Sequence, residues 1–456
     1  MEKRVVRIGL ALVSGGLAVL AFPPFGWWPL ALMAWVLCYM AVRGAGFQWG
    51  FRLGLLQGLV LYAGSLCWFW TIFSQGSILL WLLLALFVAL SCGLAGWASR
   101  KWPRAWWLPW YAAVVWSGFE YYRCEWMLLR FPWTTPGLAL GPTWLSPLVG
   151  VYGAGFLVVL SAALCVMGGA RMRMAGCALV ACLLGLSGLR PSPVVETGPG
   201  VLVLAVQSEN CDLHAYLNAS RKETSGSCLI VWPEYSVPYP VRQYGKELKS
   251  LIELAKEKDS VLVLGTQKAL GSDRHYNEAL TLDASGELGS HFKNRPVHFM
   301  MDGEPGTVAV PVTSRFGRIG TPVCFDDDYT EVVRRMTTAG AQAIVAPTMD
   351  AQRWTAREHL QHAELFRHRA LENGRWLVVA ATSGMTQFID PHGNRISQLP
   401  LDEDGTLQGS IHLHDHLTFF TKYGWTFPWM LMAGTVLWTS ALGIAALRQR
   451  RKDITM

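Results

Sequence analysis

The chain has 456 residues, 52% of them hydrophobic and only 16% charged, with 22 tryptophans and a formal net charge of +7. That composition excludes a disordered chain and a wholly soluble one, and fits a membrane protein that carries a soluble part. The positive balance sits in clusters beside apolar stretches, so it gives no reason to expect nucleic acid as a partner.

Seven apolar stretches of spanning length come first, near residues 5–22, 27–42, 52–73, 77–98, 105–121, 146–167 and 174–190, and an eighth occupies about 425–447. Basic residues orient them. Lys3, Arg4 and Arg7 precede the first stretch, Arg43 and Arg52 flank the turn after the second, and Arg100, Lys101 and Arg104 follow the fourth. Arg171 and Arg173 follow the sixth, and Arg448, Arg450, Arg451 and Lys452 follow the last. The alternate turns at Pro23–Gly26 and Ser74–Gly76 carry no charge. Because cytoplasmic flanks are enriched in Lys and Arg, both termini are expected in the cytoplasm and residues 191–423 on the outer face. Reading the first stretch as a signal peptide cut after Val19-Leu20-Ala21 leaves the soluble region on the same side. The expected organisation is a transmembrane domain over 1–190 with seven helices, a catalytic domain over 191–423, and a last transmembrane helix with a basic cytoplasmic tail over 424–456.

The soluble region has short β-branched runs at Val201–Val206, Leu229–Trp232, Val261–Gly265, Ile319–Cys324, Ala343–Ala346 and Trp376–Ala380. Helical spacing marks Tyr244–Lys258, Tyr329–Ala339 and Thr355–Glu372. Buried strands alternating with amphipathic helices predict an α/β layered fold, with hairpin turns at Asp283–Gly286 and Asp390–Gly393.

Three residues at probable strand ends carry candidate chemistry. Glu234 closes Cys228–Pro233, Lys293 follows Ser290-His291-Phe292, and Cys324 lies in Gly320-Thr321-Pro322-Val323-Cys324-Phe325-Asp326. A thiol with a pKa near ~8.5 is a poor nucleophile at neutral pH until a base takes its proton. Glu234, behind Trp232-Pro233, suits that task, and Lys293 with the Phe325 N–H suits an oxyanion. Each residue also has a plain reading: a buried core cysteine, a loop carboxylate, a solvated lysine. The alternating His412, His414 and His416 fit a strand better than a metal site, and His359 and His362 lack the arrangement of a zinc protease. Asp326-Asp327-Asp328 reads as a hydrated turn or a weak cation site. Six of the ten cysteines lie in apolar stretches; among Cys124, Cys211, Cys228 and Cys324 an exported location permits a bridge, with the pairing left open.

Trp232-Pro233-Glu234, Phe292-Lys293 and Val323-Cys324-Phe325-Asp326, in this order, resemble the Glu-Lys-Cys triad of the nitrilase (carbon-nitrogen hydrolase) superfamily. Tyr276–Leu280 with its hairpin and Arg369–Gly374 are also similar to that superfamily. Pro24–Leu30, Phe131-Pro132-Trp133 and Gly150–Gly153 resemble the bacterial apolipoprotein N-acyltransferase family within it. The resemblance implies a multi-span α-helical membrane domain of about eight transmembrane helices with an inserted α/β nitrilase-like αββα sandwich, in the inner membrane. It implies catalysis by Glu234, Lys293 and Cys324, with Glu304, Phe325 and Asp326 in support and no cofactor or metal. A phospholipid would be the acyl donor, a diacylglyceryl lipoprotein the acceptor, and the protein a monomer.

Several positions depart from the family. Phe325 replaces a tyrosine, Asp326 a glutamate, and Met349–Arg353 an asparagine-aspartate pair followed by aromatics. Two competing functions stand beside the transferase: a membrane-tethered hydrolase using water or a small amine, and a catalytically weak scaffold that binds lipoproteins.

Overall fold

The computed structural model describes residues 2–210, 212–223, 226–271 and 274–455; Cys211, one of the cysteines weighed for a bridge, lies outside them. The chain divides into two compact units. One comprises Met1–Leu145, Val149–Leu189 and Tyr423–Met456, the other Ser146–Leu148 and Arg190–Lys422.

In the first unit, helices fall on all eight apolar stretches: Glu2–Ala21, Pro29–Val42, Phe47–Ser65, Gly76–Lys101, Leu108–Tyr121, Ser146–Met167, Ala170–Gly188 and Phe427–Thr455. Among the described residues, five helices are long and apolar enough to cross a membrane; Pro29–Val42 is apolar but shorter. The third stretch is broken, its helix ending at Ser65 and resuming over Phe69–Phe73. The fifth is a 14-residue helix that starts on Pro109 in its first turn and ends in a π-helical turn at Tyr122–Trp126. Gly50, Gly54 and Gly58 form a small-residue stripe against the helix Gly76–Lys101. A Cβ on Gly50 would lie 2.5 Å from the Cys92 carbonyl oxygen, and one on Gly58 2.9 Å from Ala85 Cα. Without an apolar driving force between helices in lipid, such close backbone approach is what holds them.

The second unit is built on two six-stranded sheets. The strands are β1 (Val201–Gln207), β2 (Leu229–Val231), β3 (Val261–Ala269), β4 (His275–Asp283), β5 (Gly286–Phe292), β6 (Val312–Ser314), β7 (Gly317–Gly320), β8 (Ala343–Thr348), β9 (Leu377–Ala381), β10 (Gln387–Ile389), β11 (Arg395–Gln398) and β12 (Gly405–Ile411). One sheet runs β12-β1-β2-β3-β4-β5 and the other β11-β10-β9-β8-β7-β6. In each, the central strands are parallel and the outer ones antiparallel.

Period-two alternation sorts the side chains into three apolar layers. Val203, Val231 and Val263 of the first sheet meet Val345, Val378 and Ala380 of the second in a shared core. Leu204, Ile230 and Leu262 turn outward, under Tyr216 and Leu217 of the helix Leu213–Glu223 and Leu251 and Leu254 of the helix Gly245–Glu257. Ile344 and Val379 turn the other way, against Val332, Val333 and Met336 of Thr330–Thr338 and Phe366 of Ala356–Asn373. The result is an α-β-β-α layering.

Two local expectations are corrected, and one element is added. The run Ile319–Cys324 is not one strand: β7 stops at Gly320, and Cys324–Asp326 forms a 3₁₀ turn. The interval before β2, for which no element was expected, contains the helix Leu213–Glu223. His412, His414 and His416 lie beyond the end of β12 at Ile411, where His414 Nε2 meets Glu196 Oε1 at 2.9 Å.

Candidate active site

Strand ends deliver the three candidate residues. Glu234 follows β2 after Trp232-Pro233, and its backbone packs directly on β3. A Cβ added to Gly265 would sit 2.4 Å from Glu234 Cα and 2.5 Å from the Tyr235 nitrogen, so only glycine admits this approach. Lys293 follows β5, its N–H donating to the Asn277 carbonyl of β4 at 2.8 Å. Cys324 opens the 3₁₀ turn beyond β7 with φ at +50°, a conformation rare outside glycine that turns the side chain away from the strand direction. The turn's own hydrogen bonds use the N–H groups of Asp326 and Asp327 and leave that of Phe325 out.

All three side chains are buried. Lys293 Nζ lies 2.8 Å from Glu234 Oε1 and 2.7 Å from Asp302 Oδ2. Asn277 Nδ2 donates to Glu234 Oε1 at 2.5 Å and to Asp302 Oδ1 at 2.7 Å, closing a four-membered network. The second oxygen of Glu234 accepts from the Met349 N–H at 2.9 Å, while the Cys324 thiol donates to the Met349 carbonyl at 3.7 Å. The backbone of Met349 thus links carboxylate to thiol, and neither bond uses its side chain.

Burial pushes the Cys324 thiol well above its ordinary range; Glu234 adds to the rise and Lys293 opposes it. Burial likewise raises Glu234, with Lys293 pulling the other way and Asp302 adding to the rise. For Lys293 burial works against the charge, but Asp302 and then Glu234 overcome it and hold the ammonium firmly protonated. The arrangement is a protonated thiol beside a carboxylate that is itself prone to take a proton, with a fixed positive charge next to both.

The supporting residues divide. Asp326 is fully buried and accepts four hydrogen bonds: from Asn294 N at 2.9 Å, Arg295 N at 2.8 Å, Val323 N at 3.1 Å and His291 Nε2 at 2.9 Å. Phe325 is a packing residue, edge-on to Tyr329 with ring centroids 5.2 Å apart. Glu304, expected beside the lysine, is elsewhere: its half-exposed carboxylate is 3.9 Å from Arg274. Asp302 takes that place, two residues earlier, because the loop turns at Gly303 (φ +83°) and carries Glu304 away. Sequence reasoning missed Asp302 and Asn277, although Tyr276–Leu280 had been singled out.

Among the described residues, the group close enough to share a metal ion is Cys324, Asp350 and His362, with ligand atoms within 4.8 Å of one another. Both nitrogens of the His362 ring are already engaged by carboxylates, so the group reads as a charge cluster.

Residues 197–416 match the family described as carbon-nitrogen hydrolase, and residues 14–164 the apolipoprotein N-acyltransferase N-terminal domain. An apolipoprotein N-acyltransferase from Geobacter metallireducens is 28% identical, across 98% of this chain and 96% of its own. One from Pseudomonas aeruginosa is 27% identical across 97% of each, and one from Azotobacter vinelandii 28% identical across 97% of this chain and 95% of its own. With both domains present in order and the similarity running nearly end to end, the chain is similar along its length to bacterial apolipoprotein N-acyltransferases, and it carries a carbon-nitrogen hydrolase domain behind its apolar helices.

Proposed function

We propose that this protein moves a fatty acyl chain from a phospholipid, through a thioester on Cys324, to the α-amino group of the N-terminal diacylglyceryl-cysteine of lipoproteins. The observation that carries the reading is the buried Glu234–Lys293 ion pair beside the Cys324 thiol, in a chain whose relatives named apolipoprotein N-acyltransferase match it nearly end to end.

The chemistry follows from the contacts. Glu234 takes the thiol proton, and the sulfur attacks the carbonyl carbon of the donor's ester. The ammonium of Lys293 and the Phe325 N–H hold the oxyanion. The carbon–oxygen bond to glycerol breaks, Glu234 returns its proton to the leaving oxygen, and a lysophospholipid departs. In the second half the acceptor's free amine attacks the thioester carbonyl and yields a proton to Glu234. The carbon–sulfur bond then breaks and the proton passes back to sulfur, leaving an amide and the thiol.

The charge flanks support an orientation with both termini cytoplasmic, the hydrolase unit periplasmic and about eight crossings, and a monomer suffices for the chemistry. Donor and acceptor both keep their chains in the bilayer, so a catalytic unit tethered to the membrane meets them in two dimensions. Phe299 and Met301, exposed at 71% and 97% on the loop that carries Asp302, suit contact with lipid. Hydrolysis to water is the weaker reading, because the similarity extends through the membrane helices as well as the hydrolase domain.

The test is to incubate the purified protein with phospholipid and analyse it by mass spectrometry. An acyl thioester on Cys324 is expected, absent in Cys324→Ala and discharged faster by a diacylated lipopeptide than by water. No adduct, or discharge by water alone, overturns the proposal.

A further inference from the structure

The steps above leave unused a buried histidine close to the nucleophile. His362, on the helix Ala356–Asn373, is 2% exposed and held on both sides: Nδ1 is 2.7 Å from Asp350 Oδ1 and Nε2 is 3.1 Å from Asp328 Oδ1. Asp350 follows β8 and is itself buried; Asp328 ends the acidic run that begins two residues after Cys324. Gly384 lets Asp350 sit here, since a Cβ at that position would fall 2.0 Å from Asp350 Oδ2. The sulfur, an Asp350 oxygen and a His362 nitrogen all lie within 4.8 Å of one another. An aspartate so close to a nucleophilic sulfur is at odds with forming a thiolate, because a nearby like charge disfavours the charged form.

We propose that His362 is a positioning residue for acyl transfer: as an imidazolium clamped between Asp328 and Asp350, it fixes the Asp350 carboxylate beside Cys324 and cancels its charge, so that the thiolate forms. Burial works against the charged ring, but Asp350 and Asp328 overcome it and keep the imidazole protonated. The other groups facing the ring are Asp327, from the nucleophile's run, and Glu358, from its own helix. Burial raises both carboxyls, which works against a negative charge on either, and His362 pulls each the other way. Arg369 bears on Asp327 from the same helix, and Phe366 packs on the ring at 4.8 Å between centroids.

The role rests on Cys324 being the acyl carrier, but its test does not require any acyl transfer. In the full-length protein, the pH dependence of iodoacetamide alkylation is read on the Cys324 peptide by mass spectrometry. His362→Gln keeps a donor for Asp350 and loses the charge, and it moves the alkylation midpoint up by about one pH unit or more. Asp350→Asn alone keeps the imidazolium and moves the midpoint down, an arm that stays readable if the histidine variant fails to fold. The double variant, neutral at both positions, returns to the wild-type midpoint, which a merely structural role does not produce. An unshifted midpoint in His362→Gln, an unshifted or raised one in Asp350→Asn, or a double variant that keeps the single variant's midpoint overturns the inference. The phospholipid adduct in the unsubstituted protein separately decides the proposed function.

Discussion

Replacing Asp302 by Asn while replacing Glu304 by Gln in a second protein asks which acid supports Lys293. Four donors converge on Asp302: Lys293 Nζ at 2.7 Å, Asn277 Nδ2 at 2.7 Å, Val297 N at 2.7 Å and Tyr235 OH at 3.1 Å. A carboxylate has acceptor sites for all of them, whereas an amide turns two hydrogens towards one pair. Breaking a buried ion pair from one side costs about 3–5 kcal/mol, so for a domain of this size Asp302→Asn lowers the unfolding midpoint by roughly 6–20 °C. Glu304 is a different case. Its partner Arg274 is 3.9 Å away and both side chains are largely solvated, at 44% and 67% exposure, so Glu304→Gln changes stability by about 0–1 kcal/mol. Thermal unfolding in detergent, followed alongside thioester formation, separates the two. A Glu304→Gln protein that loses more stability or activity than Asp302→Asn refutes the assignment of Asp302 as the lysine's second partner.

Gly265→Ala drives a methyl into the backbone at Glu234 and is expected to slow thioester formation by roughly 100-fold with the hydrolase unit still folded; near-normal kinetics contradict the fit described at β3. Burial raises Glu234, so single-turnover acylation falls as pH drops through a midpoint above the ordinary glutamate value of about 4.3; a midpoint at or below it argues against Glu234 as the base. Among the described residues neither oxygen of the buried Asp327 carboxyl has a hydrogen-bond partner, and burial raises its pKa, so the folded state keeps a proton to higher pH than the unfolded chain, which releases it around pH ~3.9. Stability from this group therefore declines as pH rises from there towards the folded pKa, and Asp327→Asn flattens that slope in unfolding midpoints measured against pH. Met301→Glu is expected to raise KM for vesicle-borne donor while sparing kcat; an unchanged KM refutes lipid contact at this loop.

The β-branched runs were legible as strands because strands buried on both faces leave apolar side chains at every position, as in Val203 to Val206. The strand ends bearing Glu234, Lys293 and Cys324 could be read from short ordered signatures, each with an unusual residue closing an apolar run. Asp302 could not. It and Glu304 differ by two positions in a loop without periodicity, and only the turn at Gly303 decides which one faces inward. The helix Leu213–Glu223 went unseen because three buried side chains, Tyr216, Leu217 and Ser220, make its inner face. The pairing of His362 with Asp328 and Asp350 joins segments remote in sequence, and no local pattern announces it.

Asp326 works as a rivet. Its acceptors gather Val323 from the segment after β7, in one sheet, and His291, Asn294 and Arg295 from the end of β5, in the other. Until the two sheets dock, that carboxylate lacks its partners from β5, and the turn holding Cys324 is fastened from one side alone. On the proposed chemistry, closing the sandwich is therefore also what sets the nucleophile in place.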